Sequence, residues 1–541
     1  MTAPPSDRLD SWKAIAAYLD RGVRTVRRWE AEEGLPVHRH MHRALGSVYA
    51  FKSEIDAWRA SGPRRPDREA RPPAGGAKSI VVVPFANLSA AADDAYFADG
   101  LTDEVIADLS RVSALRVISR TSSMALKGAA RDVRAIAREL DVRYVLEGTV
   151  RRSGERLRVT AQLIDAQADD HLWSGKYEGT LADVFAIQES LARVIVEALQ
   201  VHLTADEARG LGARPIRDLR AYECYLQARH QAFRWRGDAI DHAVQLLRNG
   251  LAIVGENAEL YAALGRAWLQ YREAGIDLGE RPLREAEACA ERVAALDPRS
   301  AAGLQLRGWI HYSTGRIQDA VRDLKAALAI EPGSPDAMAL LCNCYLISGK
   351  VTAARPLIER LLSIDPLTPL TRCLPGFADL MEGDFASALG PYRQMFEMDP
   401  GNPMARLFYA WILAANGKVE AAAELARTFP DAVRDTVPAR ITRFLARAAA
   451  GDGPAAREAL DPEVESVAQA TDLFPRFLAL GYARAGMADP ALHWLRIAVD
   501  RGFINHPFLA RHEPFLEPLR GDPRFQGLMD VVRARWERFE P

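Results

Sequence analysis

Residues 311–332 read HYSTGRIQDAVRDLKAALAIEP, and their marks return in residues 345–366, YLISGKVTAARPLIERLLSIDP, and in residues 379–400, DLMEGDFASALGPYRQMFEMDP. Alanines at 243, 286, 320, 354, 388, 422, 456 and 491 carry the period, and from Ala286 to Ala456 every step is 34 residues. Gly315, Gly349, Gly383 and Gly417 stand five residues before their alanines. Asp297-Pro298, Glu331-Pro332, Asp365-Pro366 and Asp399-Pro400 follow theirs by eleven and twelve. Glycine permits the left-handed turn that ends one helix, and proline stops a second helix and opens the next unit. The small alanine lets the two helices of a unit approach closely. Such units stack into an α-solenoid, a scaffold that binds rather than transforms. Extending the register predicts eight helical pairs over residues 218–532, with the first pair and the last two imperfect. Nine extra residues between Ala243 and Ala286 belong to a lengthened turn around 272–283, which holds Gly275, Gly279 and Pro282.

The 34-residue step and its marks resemble the tetratricopeptide repeat. That resemblance implies a concave groove, lined by the first helix of each pair, for an extended or helical protein segment. The register places Gln305, Trp309, Tyr312, Asn343, Phe377 and Trp411 there as candidate protein-binding residues. Aromatic anchors in a groove supply most of the binding energy, although the same rings are equally suited to packing between repeats. Residues 506–525, HPFLARHEPFLEPLRGDPRF, resemble the closing segment of such arrays, with Phe508, Phe515, Leu519 and Phe525 covering the last pair.

Length and composition bound the rest. A chain of 541 residues allows about three or four domains. Its 70 basic and 72 acidic side chains leave a formal charge of −2, so any attraction to nucleic acid must be local. With 48% apolar and 26% charged residues it reads as a soluble globular protein. Cysteines at 224, 289, 342, 344 and 373 follow no disulfide or zinc spacing and read as small helix-packing residues; no metal and no cofactor is expected. The first ten residues lack a basic region and an apolar core, and no run of 18 apolar residues occurs, so a cytoplasmic location without a membrane partner is expected.

Residues 61–77, SGPRRPDREARPPAGGA, form a flexible linker that sets off a small module at residues 8–60. In that module Trp12, Ile15, Ala16 and Leu19 make one apolar stripe, Asp20-Arg21-Gly22 a turn, and Val23, Val26 and Trp29 a second stripe. Arg24, Thr25, Arg27 and Arg28 lie between the apolar positions of the second helix, as in a helix-turn-helix reader of DNA. Arginine serves phosphates as a cation and guanine through a bidentate fork. A plain small helical domain with an arginine face fits the same residues. Leu35-Pro36-Val37 and residues 47–51 pair as a small wing, with His38, Arg39, His40, His42 and Arg43 at its tip, and residues 53–58 close the module. SWKAIAAYLDRGVRTVRRWEAEEGLPVHRH, with YAFKSEIDAW, resembles the winged helix-turn-helix domains of the MerR and excisionase group. That resemblance implies contact of Arg24, Thr25, Arg27 and Arg28 with double-stranded DNA from a recognition helix, and of Arg39 and Arg43 from the wing. One such domain makes few contacts, so a homodimer or an array on spaced half-sites is expected.

Residues 78–204 alternate strand and helix. Ile80 to Phe85 is a buried strand, residues 95–110 a helix, 116–119 a strand, 133–140 a helix, and 144–150 a strand leading into a hairpin. In the hairpin partner Leu157, Val159, Ala161 and Leu163 alternate with Arg156, Arg158, Thr160 and Gln162. Residues 171–177 add a strand and 183–203 a closing helix, giving an α/β domain with a mixed sheet. VVVPFANLS, YFADGLTDEVIADLSR, VISRTSS and ELDVRYVLEGTVRRSGERLRVTAQLIDA resemble the TolB-like N-terminal domain of bacterial regulators. Asp93, Asp94, Asp99, Asp103 and Glu104 read as solvated charges at a helix N-terminus rather than a metal site. Arg151, Arg152, Arg156 and Arg158 read as a solvated hairpin face. No phosphate loop, nucleophile elbow or zinc-protease motif occurs, so no catalytic residue is assigned and no enzyme is expected. The fold expected is multidomain: a small winged helix-turn-helix, an α/β domain and an all-α solenoid. The function expected is a DNA-binding transcriptional regulator that recruits or senses a protein partner. The alternative is a non-enzymatic scaffold whose first module does not bind DNA.

Overall fold

The computed structural model describes residues 7–9, 11–19, 21–23, 25–26, 35–40, 47–60, 78–89, 95–128, 132–211, 215–232, 236–274 and 276–541. By contacts the chain forms two units, Met1–Ala77 and Lys78–Pro541. In the first, strands β1 (Arg8–Leu9) and β2 (His38–His40) flank β3 (Ser47–Phe51), both antiparallel, with Arg8 opposite Phe51 and His38 opposite Tyr49. Pairing begins after the expected Leu35-Pro36-Val37 because Pro36 has no N–H to give a ladder. Helix α1 (Trp12–Leu19) turns Ile15, Ala16 and Leu19 inward, where they meet Val26, Leu35, Ala50 and Ile55, the last from α2 (Lys52–Ala60).

The second unit opens with a six-stranded mixed sheet. Its strands are β4 (Lys78–Val82), β5 (Ala86–Asn87), β6 (Leu115–Val117), β7 (Tyr144–Ser153), β8 (Arg156–Asp165) and β9 (Asp170–Thr180). Their order is β6-β4-β7-β8-β9, with β5 also pairing β7. Pairs among β4, β5, β6 and β7 are parallel; β7–β8 and β8–β9 are antiparallel. Strand β4 stops at Val82, short of the expected Phe85, because Pro84 cannot continue the ladder. One face buries Ile80, Val82, Leu146, Val159 and Leu163 beneath α3 (Ala95–Ser110). A short helix, α4 (Arg120–Met124), follows β6 and had no periodicity to betray it. The other face buries Val81 and Val145 under Ile136 and Leu140 of α5 (Val133–Leu140). Helix α6 (Val184–Ala198) joins α3 on the first face.

Among the described residues the array shows eight helical pairs, from Leu219–Ala232 with Gly237–Val254 to Phe474–Arg484 with Ala488–Asp500. First helices start at 301, 335, 369, 403 and 437, keeping the 34-residue step. Ser300, Ser334 and Asn402 cap three of them by accepting backbone N–H groups, and Pro335, Pro369 and Pro403 occupy the first helical position, where the missing N–H costs nothing. Gly315, Gly349, Gly383, Gly417 and Gly451 all have positive φ at the turn. All eight period alanines are fully buried. The nine extra residues are shared between two longer helices, Ala258–Glu273 and Arg281–Leu296, and the turn between them.

Sheet and array form one unit because they touch at two separated places. A Cβ on Gly100 of α3 would meet Leu226 Cδ1 at 2.7 Å, so the small residue admits the first array helix. Farther along, the Asp365 carboxylate accepts from Ser119, from Ser122 Oγ at 2.8 Å and from Thr371 Oγ1 at 2.9 Å, while Arg116 reaches the Ser363 carbonyl at 2.7 Å. The Asp-Pro mark of one repeat thus doubles as the anchor of the α/β layer.

Candidate functional site

The groove expected along the first helices is the candidate site, and the turn edge beside it is occupied by the chain's own C-terminal part. The array curls until its last pair meets its early ones: Arg272 donates to the Ala470 carbonyl at 2.7 Å, and Arg501 to the Ser313 carbonyl at 3.3 Å. Beyond the last pair, the Ile504 N–H bonds the Ile347 carbonyl at 3.1 Å, and Asn505 Nδ2 the Met381 carbonyl at 3.1 Å. Three turn glycines receive this segment. A Cβ on Gly315 would lie 2.6 Å from the Asp500 carbonyl, on Gly349 2.7 Å from Asn505 Oδ1, and on Gly383 2.5 Å from His512 Nδ1.

This closure decides where the expected groove residues go. Tyr312 is 8% exposed and Trp411 6%, so neither lines an open groove. Tyr312 donates to Asp472 Oδ2 at 2.5 Å and accepts from Asn343 Nδ2 at 2.7 Å. Trp411 meets Phe477 edge-on at 5.4 Å between ring centres. Phe377 is half-buried on the same apolar core. Phe508, expected over the last pair, stacks on Phe385 at 6.2 Å instead. Only Gln305 and Trp309 of the six line a sizeable cavity, of 640 Å³, between the α/β layer and the first repeats. There Arg266 lies over the Trp309 ring at 4.5 Å.

Two charged groups read as solvated are not. Asp99 and Asp103 are 6% and 5% exposed, because α3 turns them toward the array. Asp99 pairs with Lys127 at 2.5 Å and with His230 at 3.5 Å. Burial pushes the Asp99 carboxyl up, but hydrogen bonds from His230 and Lys127 outweigh it and hold the group below its ordinary value. Asp103 pairs with Arg120 and lies 3.6 Å from Arg229; burial prevails and raises its carboxyl. Arg152 is also no free surface charge: strand alternation turns it inward, where it donates to Tyr96 Oη and Glu223 Oε1, both at 3.0 Å. Arg158 does face outward, paired with Glu178 at 2.9 Å. Asp93 and Asp94 lie outside the described residues.

In the first unit Thr25 is helical and half-buried, and Arg39 lies in β2 opposite Val48. Arg24, Arg27, Arg28 and Arg43 lie outside the described residues. Glu54 of α2 bonds His38 Nε2 at 2.7 Å, and Arg8 stacks on Tyr49 at 4.2 Å, which ties β2 to α2 and β1 to β3. Among the described residues no three metal-ligating side chains converge, and no helix is long and apolar enough to cross a membrane.

Comparison with known proteins places names on two regions. The family model of the HilA/YgeH-like transcriptional regulator second domain matches residues 76–193. Tetratricopeptide repeat models match residues 277–335, 311–370 and 379–448, so this part of the array consists of such repeats. "Putative adenylate cyclase 3" of Rhizobium meliloti (strain 1021) is 43% identical over 186 residues, which are 34% of this chain and 32% of that protein. This chain therefore matches about a third of that relative's length. A thermophilic repeat protein of Thermus thermophilus is 19% identical, covering 36% of this chain and 98% of its own, with a TM-score of 0.30. TolB from Acinetobacter baumannii is 20% identical, covering 23% of this chain and 28% of its own, with a TM-score of 0.18.

Proposed function

We propose that the chain is a DNA-binding transcriptional regulator of the cytoplasm, without catalytic activity, whose repeats hold a protein partner. The observation that carries this reading is the match of residues 76–193 to a domain that stands second in transcriptional regulators, here preceded by a separate small unit. That small unit supplies the DNA contacts through the arginine-bearing helix and the wing, in the manner of the MerR and excisionase group. The α/β layer, TolB-like in its sequence, couples to the repeats through the Asp365 anchor. Repeats of this kind take protein or peptide partners. A homodimer on spaced half-sites would raise specificity.

Titration of the full-length protein against fluorescent duplex DNA over a salt series tests this. Replacing Arg24, Arg27 and Arg28 by Ala should weaken binding and flatten the salt slope by up to about three units. Unchanged affinity and slope in a folded triple variant would remove the recognition helix from the account. A second reading, a scaffold whose first unit binds protein, is favoured if the wild-type chain shows no DNA binding at low salt.

A further inference from the structure

The 640 Å³ cavity between the α/β layer and the first repeats has the size of a small-molecule site. Its described lining is balanced in charge: Arg111, Arg120, Arg229 and Arg266 stand against Asp103, Glu259, Glu331 and Asp336. Two of the arginines are closely matched and a third more loosely. Arg120 pairs with Asp103, Arg266 with Glu273 at 2.8 Å, and Arg111 with Glu331 at 3.4 Å.

Arg229 differs. Its polar contacts are Tyr225 Oη at 3.4 Å, Asp103 Oδ2 at 3.6 Å and Glu104 Oε1 at 4.0 Å, and its guanidinium lies 5.5 Å from the centre of the Tyr225 ring. All are longer than the roughly 2.7–2.9 Å of a charge-assisted hydrogen bond. Its side chain keeps 32% of its surface open. At the same hydroxyl, Glu259 accepts from Tyr225 Oη at 2.9 Å and has no second hydrogen-bond partner among the described residues. A loosely paired cation and a carboxylate thus meet at one hydroxyl. The lining also includes Gln270, buried with its Oε1 unpaired, and Trp309, whose Nε1 is unpaired.

We propose that this cavity binds a free α-amino acid, with Arg229 taking its carboxylate and Glu259 its ammonium group. The spacing argues for this class, because the two charges of an α-amino acid sit on one carbon and can span the Tyr225 hydroxyl. The ligand side chain then lies along Leu306 and Trp309, in the remaining volume. Arg229 and Glu259 belong to two helices of the array, while Arg120 and Asp103 belong to the α/β layer, so the ligand would bridge the two parts and tighten their docking. The binding does not depend on DNA recognition, so it stands or falls separately from the proposed function.

The test is thermal unfolding and calorimetric titration of the full-length protein against each of the twenty amino acids at millimolar concentration. The N-acetyl and the carboxamide form of any ligand found serve as controls. At least one free amino acid should raise the melting temperature and give a saturable heat, and each blocked form should bind at least tenfold more weakly. Glu259→Gln, which keeps an oxygen for Tyr225, should retain the unliganded melting temperature and lose at least tenfold in affinity; Arg229→Lys should also weaken binding. No response to any amino acid overturns the proposal. So does equal binding of free and blocked forms, or full affinity in folded Glu259→Gln.

Discussion

Tyr312 donates its phenolic hydrogen to Asp472 Oδ2 at 2.5 Å, across 160 residues of sequence. The bond joins the third helical pair to the residues that precede the last, and with Arg272 and Arg501 it closes the array on itself. Tyr312→Phe keeps the ring but removes the donor to Asp472 and the acceptor of Asn343. Asp472 would keep Arg476 at 3.4 Å as a partner. A loss of about 1 kcal/mol in urea denaturation is expected. A variant as stable as the parent would show that apolar packing alone closes the array.

The turn glycines separate local strain from docking. Gly315 and Gly417 have nearly equal φ, 77° and 73°, but a Cβ would meet the Asp500 carbonyl at Gly315 and nothing within 4 Å at Gly417. Gly417→Ala should cost about 1 kcal/mol, the penalty of a left-handed conformation. Gly315→Ala should cost clearly more, because backbone must move as well. Equal melting temperatures for the two would remove the C-terminal segment from the turn edge.

Glu513 predicts a pH dependence. It is fully buried, caps Pro514–Leu519 by accepting from the Phe515 N–H at 3.1 Å, and leaves Oε2 unpaired. Burial raises its carboxyl from 4.5 to about 8. Between those values the folded chain holds a proton that the unfolded chain has released, so stability falls as pH rises, by at most about 1.4 kcal/mol per pH unit, and levels off above about 8. Glu513→Gln keeps the cap without the titration. Its unfolding free energy should therefore lose that slope between pH 5 and 8; identical profiles for both proteins would exclude Glu513 as the source.

Asp365 should control whether the α/β layer stays on the repeats. Asp365→Ala leaves the buried Ser119, Ser122 and Thr371 hydroxyls without their shared acceptor. A loss of about 2–4 kcal/mol is expected, with faster proteolysis between the sheet and the array. Parental stability and cleavage would show that the contact of α3 with Leu219–Ala232 suffices.

The alanine, glycine and Asp-Pro marks made the array legible, because each answers a local demand: close helix packing, a left-handed turn, a stop. The alternation in Arg156–Asp165 made the hairpin legible for the same reason. What the period could not disclose is which turns carry a second duty. Gly315 and Gly417 look alike in sequence, and only the first meets the C-terminal segment. Asp103 looked solvated because its partners, Arg120 and Arg229, come from elements whose packing no local pattern encodes. The groove positions were placed by register, yet Tyr312 is covered because the array curls far enough for its end to return, and Trp411 takes up the packing between repeats to which such rings are equally suited. Such curling depends on small angles summed over many repeats.

The most direct test of the account is recovery of DNA fragments with tagged full-length protein from its own cells, beside the variant lacking the Arg24, Arg27 and Arg28 side chains. Recurrent fragments that share a sequence motif and vanish with the variant are predicted. Equal, unspecific recovery with both proteins would contradict the regulator and leave a scaffold.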